Sequence, residues 1–177
     1  MATDTGWLDT HIRLVPDFPS PGVSFKDITP LLAEPAAFRF CVDTLATRFA
    51  DRPVDRVVGI EARGFILAAP VAYRLGAAFI PVRKAGKLPW AVAREEYDLE
   101  YGTDRLEIHR DAIAPHHRVL VIDDVLATGG TAAATCRLIE GLGGVIAGLG
   151  FVIELEALGG RVRLGERVVE SVMRYEV

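Results

Sequence analysis

An α/β fold, a mostly parallel twisted sheet flanked by helices, is predicted by three features of the 177-residue sequence. Two strand–helix–strand patterns follow one another along the chain. Their strands read as continuous apolar runs, as expected where helices cover both faces of a parallel sheet. One of these runs ends in two carboxylates and a small-residue turn that opens a helix, and open α/β sheets bind ligands beyond the carboxyl ends of such strands.

Met1–Pro30 contains Pro16-Asp-Phe-Pro-Ser-Pro-Gly-Val23, too rich in proline for regular structure, and is expected to wrap over the sheet as an irregular arm. From Pro35 to Ala50, Phe38, Cys41, Val42, Leu45 and Phe49 recur at helical spacing with Arg39, Asp43 and Arg48 between them, which gives an amphipathic helix. Arg56–Ile60 reads as a β-branched strand, Gly64–Leu75 as a helix and Ala78–Val82 as a second strand. The second unit comprises a strand over Arg118–Ile122, a helix over Gly130–Gly141 and a buried strand over Val145–Ile153. Between the units, Arg83–His117 breaks the alternation. It opens with the basic, turn-forming Arg83-Lys-Ala-Gly-Lys-Leu-Pro-Trp90, and Tyr97–Ile108 then alternates, so residues 83–110 are expected to form a mobile hood whose hairpin tip folds over a ligand. A single domain spanning 1–177 accommodates these elements.

Composition excludes several function classes. With 50% hydrophobic and 25% charged residues the chain can build a packed core, so disorder is not its main state. A net charge of −4 supplies no basic field for nucleic acid or an anionic membrane. The longest apolar stretch, Val145–Ile153, is about half of a bilayer-spanning helix, and Met1–Asp9 carries acidic residues without an apolar segment, which points to the cytoplasm. Cys41 and Cys136 fall on apolar helix faces and read as small buried hydrophobes rather than as a disulfide or metal site. His109, His116 and His117 have no ligand spacing and read as surface residues.

The most informative segment is Val119-Leu-Val-Ile-Asp123-Asp124-Val-Leu-Ala127-Thr128-Gly129-Gly130-Thr131. A helix amino terminus offers unpaired N–H groups and a positive dipole end to a phosphate, and Thr128 and Thr131 add hydroxyl donors. No Lys follows the glycines as a nucleoside-triphosphate loop requires, and Gly141-Leu-Gly143 and Gly148-Leu-Gly150 lack the third glycine of a dinucleotide fingerprint. A single phosphate beside a cis-diol fits best, because paired carboxylates accept hydrogen bonds from two hydroxyls and can hold Mg²⁺ through water. The plain alternative is a glycine-rich turn with Asp as a helix cap. Ser20, Ser24 and Ser171 are the only serines and none lies in a nucleophile motif, so catalysis by positioning and charge stabilisation is expected.

The Asp123–Thr131 run resembles the phosphoribosyl-pyrophosphate signature of the type I phosphoribosyltransferases. Pro19–Pro30, Glu61–Phe65, Arg83–Pro89, Glu100-Tyr101-Gly102 and Phe151–Glu156 resemble segments of the family's adenine-specific branch, in the family's order. The resemblance implies the type I fold and the Mg²⁺-dependent transfer of 5-phosphoribosyl from phosphoribosyl pyrophosphate to N9 of adenine, giving AMP and pyrophosphate in purine salvage. It also implies a homodimer.

The resemblance assigns roles as well. Ala127, Thr128, Gly129, Gly130 and Thr131 would cradle the 5′-phosphate, with Asp123 and Asp124 at the ribose hydroxyls. Glu61–Gly64 would be the pyrophosphate loop, with Arg63 as its bidentate donor and within reach of the base, and Arg83, Lys84 and Lys87 would form the basic side of the hood. Glu100 would hydrogen-bond N7 of adenine as a general acid/base, beside Tyr101. Phe25 would stack on the purine, Val23, Lys26 and the arm backbone would read its edge, and Val125 or Leu126 would supply the opposite apolar face. Lys26 departs from the arginine of some relatives. Without the resemblance, a surface salt bridge for Arg63, a solvated charge run for Arg83, Lys84 and Lys87, and a solvent-facing hairpin residue for Glu100 are the competing readings.

Two rival functions share the fold. A phosphoribosyl-pyrophosphate sensor would need a nucleic-acid-binding module or basic face, for which neither the length nor the charge provides. A transferase for 6-oxopurines would place a donor such as Lys at the 6-position, whereas adenine's amine needs an acceptor.

Overall fold

The computed structural model describes residues 5–98 and 103–176. Its elements run in the order of a 3-10 turn over Gly6–His11, β1 (Arg13–Pro16), β2 (Ser24–Asp27), α1 (Thr29–Ala33), α2 (Pro35–Arg48), β3 (Arg56–Ile60), α3 (Arg63–Leu75), β4 (Ala78–Lys84), β5 (Val92–Asp98), β6 (Thr103–His109), β7 (Arg118–Leu126), α4 (Gly130–Gly141), β8 (Val145–Leu155), a 3-10 turn over Glu156–Leu158, α5 (Gly160–Leu164) and β9 (Val169–Tyr175).

Seven strands form one sheet in the order β5-β6-β4-β3-β7-β8-β9, parallel from β4 to β9 and antiparallel where β6 joins β4 and β5. The inner strands β3, β7 and β8 are largely apolar because both of their faces are covered. Val57, Leu120, Ile122 and Val152 pack with Leu31, Leu45 and Leu67 on the side of α1, α2 and α3. Val58, Ile60, Val119, Val121 and Phe151 pack with Leu138 and Ile139 of α4 and with Leu106 and Ile108 of the hairpin. Neighbouring residues of one strand thus serve opposite cores, the period of two expected of a strand. From β3 the chain leaves in one direction to β4 and later returns to β7 on β3's other side. A crevice therefore opens where the carboxyl ends of β3 and β7 meet, with Gly59 paired to Ile122.

Several sequence expectations need correction. The arm is not irregular: β1 and β2 pair antiparallel from Arg13↔Asp27 to Pro16↔Ser24, and the proline tract is the connection between them. The hood is largely sheet. Its hairpin begins at Val92 rather than Tyr97, and Arg83↔Glu107 and Lys84↔Leu106 join it to β4, so Arg83 and Lys84 stand on a strand instead of in a loop. β7 continues four residues past Ile122 because Val125↔Ile153 and Leu126↔Glu154 keep pairing with β8. α5 and β9 were not read from the sequence at all. His109 is not a simple surface residue, since its Nε2 is enclosed with no hydrogen-bond partner among the described residues and its ring lies edge-on to Trp90. Cys41 and Cys136 are buried free thiols, pushed up by burial to about 12 and about 11.

Candidate active site

At the carboxyl end of β7 the chain turns through Ala127, Thr128 and Gly129 into α4. Gly129 takes a left-handed conformation (φ +75°), and among the described residues no side chain caps the helix or places an acid in its first turn. The first N–H groups are thus left to an anion, at the positive end of the helix dipole. Behind the turn lies the backbone of Gly160. A Cβ on Gly129 would stand 2.7 Å from the Gly160 carbonyl oxygen, and one on Gly160 would stand 2.2 Å from that of Ala127. Thr128 is exposed, while Thr131 Oγ1 donates to the Tyr97 hydroxyl at 3.4 Å.

The acidic pair lies at the end of the same strand. Asp124 is buried and ion-paired to Nε of Arg63, the first residue of α3. Asp123 accepts the Asp124 N–H at 2.9 Å. Asp123 is half-buried, and a Cβ on Gly64 would come within 2.8 Å of its Oδ1. Burial first, and then the Asp124 charge, push the Asp123 carboxyl well above the usual range. The Arg63 guanidinium lies 5.4 Å from the Phe25 ring centroid, and Phe18 meets the same ring edge-on at 5.1 Å. Phe25, Arg63, Asp123, Asp124 and the Ala127–Thr131 turn therefore share one crevice, although they come from β2, α3, β7 and α4.

Other candidates sit differently. Lys26 turns its Nζ over the Tyr175 ring at 3.8 Å, away from a base-reading position, so only its backbone is left for that task. Val23 is exposed and Val125 is partly buried. Leu126 is enclosed in the core at 1% exposure and presents no face to a base, which leaves Val125 for that side. Glu100 and Tyr101 lie outside the described residues.

The basic side is not a solvated run. Arg83 donates to both carboxylate oxygens of Glu61 at 3.2 and 3.1 Å and to the Lys87 carbonyl at 3.0 Å, and the Lys84 N–H also reaches Glu61 at 3.0 Å. The Arg83 guanidinium holds the Glu61 carboxyl below its ordinary value. Lys84 Nζ meets Asp104 at 3.0 Å, and the Tyr97 hydroxyl donates to the same carboxylate at 3.2 Å. Lys87 is exposed on the turn. Three cations around the crevice are thus each held by a carboxylate, Arg63 by Asp124, Arg83 by Glu61 and Lys84 by Asp104. An incoming polyanion would compete for cations that are already in place. Sequence reasoning missed Tyr97 and Asp104, whose only signal was their place in the alternating hood.

Among the described residues no group of three or more His, Cys, Asp or Glu side chains converges as a metal-ligand set. With Asp124 engaged by Arg63, the donors fit a divalent ion held chiefly by phosphate oxygens and water beside Asp123.

Residues 28–168 match the family model described as the phosphoribosyl transferase domain. An adenine phosphoribosyltransferase from Acidothermus cellulolyticus is 60% identical over 164 residues, covering 93% of each chain. Among solved structures, the adenine phosphoribosyltransferase of Rhodothermus marinus superimposes with a TM-score of 0.91 at 51% identity, over 96% of this chain and 97% of that one. The Giardia lamblia enzyme, solved in complex with 9-deazaadenine, gives a TM-score of 0.92 at 38% identity over 99% of both chains.

Proposed function

Because the chain belongs to the phosphoribosyl transferase family, among its adenine phosphoribosyltransferases, we propose that its crevice joins N9 of adenine to C1′ of phosphoribosyl pyrophosphate, releasing AMP and pyrophosphate. The observation that carries the reading is the meeting, in one crevice, of an uncapped helix terminus, a carboxylate pair and an arginine that faces an aromatic ring.

The first N–H groups of α4, with the Thr128 and Thr131 hydroxyls, hold the 5′-phosphate. Asp123 and Asp124 accept from the ribose hydroxyls, which fixes C1′ toward Phe25. Phe25 supplies a flat face for the purine, with Val125 opposite and the arm backbone, at Val23 and Lys26, reading its edge. As the C1′–oxygen bond loosens, positive charge grows on the ribose ring and negative charge on pyrophosphate. The carboxylate pair stabilises the first and Arg63, Arg83, Lys84 and Lys87 stabilise the second. Mg²⁺ held beside Asp123 would supply further neutralisation of the charge on pyrophosphate. Nothing covalent is asked of the protein, so rate comes from positioning. We place the chain in the cytoplasm as a homodimer, with Ile66 and Tyr73 exposed on α3 as apolar contact residues. Among the described residues no helix is long and apolar enough to cross a membrane.

Pyrophosphate release from phosphoribosyl pyrophosphate and Mg²⁺, run in parallel with adenine, hypoxanthine, guanine and xanthine, tests reaction and base together. Release with adenine alone is expected. Binding of phosphoribosyl pyrophosphate without turnover of any base would instead identify a sensor.

Glu100, which falls between β5 and β6 in the sequence, is assigned to N7 of adenine. A neutral purine must lose the N9 proton as N9 attacks, and a proton managed at N7 offsets the charge that builds up. Glu100→Gln keeps the shape and removes the titrating group, so kcat should fall well over tenfold, within the span of general acid–base catalysis. Near-normal turnover would refute the role.

A further inference from the structure

A buried carboxylate behind the phosphate turn, paired to a half-buried arginine, has no part in the chemistry described above. Glu154, at the end of β8, is 3% exposed and accepts two hydrogen bonds from Arg161, at 2.8 and 2.6 Å, and one from the Ser171 hydroxyl at 2.7 Å. Arg161 also donates to the Val169 carbonyl at 2.8 Å, and Arg174 stands 3.5 Å from the same carboxylate. One carboxylate thus ties together the end of β8, the start of α5 and β9. A charge is costly to bury unless it is fully partnered, and this one is.

The cluster touches the phosphate site by two routes. Glu154 is register-paired with Leu126, the residue before the turn. Arg161 directly follows Gly160, whose backbone is in such close contact with Ala127 and Gly129 that neither glycine leaves room for a Cβ. We propose that Glu154 and Arg161 are positioning residues: they clamp Gly160 as a backstop that holds the Ala127–Gly129 turn in its anion-binding shape. The clamp therefore governs affinity for the 5′-phosphate and leaves the pyrophosphate and base ends of the site alone. This rests on assigning that turn to the 5′-phosphate.

The test uses the full chain and ribose 5-phosphate, which carries the 5′-phosphate without pyrophosphate or base. Glu154→Gln keeps the volume and weakens the charge-assisted bonds to Arg161. By calorimetry its Kd for ribose 5-phosphate should rise roughly tenfold or more. In the reverse reaction KM for AMP should rise with it while KM for pyrophosphate stays within about twofold, a split that a general loss of structure would not produce. Ser171→Ala, which removes one neutral donor, should show the same split in weaker form and covers the case of a poorly folded Glu154 variant. Equal losses for AMP and pyrophosphate, or an unchanged Kd in both variants, would overturn the clamp. Should the unmodified protein fail to bind ribose 5-phosphate, the assignment of the turn itself would fall and the clamp with it.

Discussion

Replacing Asp124 by Asn is expected to lower kcat/KM about 100-fold, measured by pyrophosphate release at saturating adenine. Two effects combine. The substitution turns an ionised acceptor at a ribose hydroxyl into a neutral amide, a loss of about 1.5 kcal/mol or more for a charge-assisted hydrogen bond. It also strips the buried partner from Arg63, whose guanidinium is then free to leave its place over Phe25. A second loss of similar size follows if that place is what aims Arg63 at pyrophosphate, and two such losses make about 100-fold. Asp124→Glu keeps the charge but pushes the carboxylate into the space of Arg63, so it should recover little. A value within a few-fold of the unmodified protein would refute the ribose role.

The same variant carries a signature in pH. Asp123 is held above its ordinary value, first by burial and then by Asp124. A carboxyl with a raised value is protonated where an ordinary one is ionised, so it loses its acceptor form as pH falls through that raised value. The acid limb of kcat/KM should therefore lie above the usual carboxylate range. In Asp124→Asn the like charge is gone while burial still raises Asp123, so the residual activity should persist to lower pH than in the unmodified protein. Glu154 behaves in the opposite sense. It is held low by Arg161 and Ser171 against the opposing effect of burial, so the stability it contributes is present above the ordinary value of Glu and is lost as pH falls below it.

What the sequence made legible was local. Phe38, Cys41, Val42, Leu45 and Phe49 marked a helix, and apolar runs marked the β3–β4 and β7–β8 pairs, because each signal lies within a few residues. The phosphate turn was legible for the same reason. Pairings between distant residues were not. Arg63 meets Asp124 across 61 positions, Arg83 meets Glu61 across 22 and Lys84 meets Asp104 across 20, and nothing in a run of charges says which will be paired. The carboxylates of Asp123 and Asp124 looked like the end of a strand because charge is costly in a sheet interior. β7 continues because Arg63 offsets that cost for Asp124 and β8 goes on pairing alongside. β9 was hidden by its mixed character, since Glu170, Ser171 and Arg174 interrupt Val169, Val172 and Met173. In the structure Ser171 faces Glu154, and a polar residue there satisfies a buried charge rather than marking a loop.

Gly129→Val is expected to lower kcat/KM by about 100-fold or more while leaving the fold largely intact, a result read from kinetics together with circular dichroism. Gly129 occupies the position just before α4 at φ +75°, a region that β-branched residues avoid. Even its Cβ would stand 2.7 Å from the Gly160 carbonyl oxygen and 3.1 Å from the Gly160 Cα. Those neighbours are backbone and cannot swing aside as a flexible side chain would. Either the turn moves outward into the space of the phosphate or Gly129 leaves its left-handed conformation, and in both cases the first N–H groups of α4 are re-aimed. A displacement of about 1 Å at a positioning site costs on the order of 100-fold, because the bound geometry supplies much of the rate. The strain should fall on the turn rather than on the core, since the Ala133 N–H to Gly129 carbonyl bond and the packing of Ala134, Leu138 and Ile139 can re-form around a shifted first turn. Loss of affinity for ribose 5-phosphate should account for most of the deficit. A variant that bound it normally yet turned over slowly would place the cost elsewhere in the site and overturn the assignment of Gly129 to the 5′-phosphate.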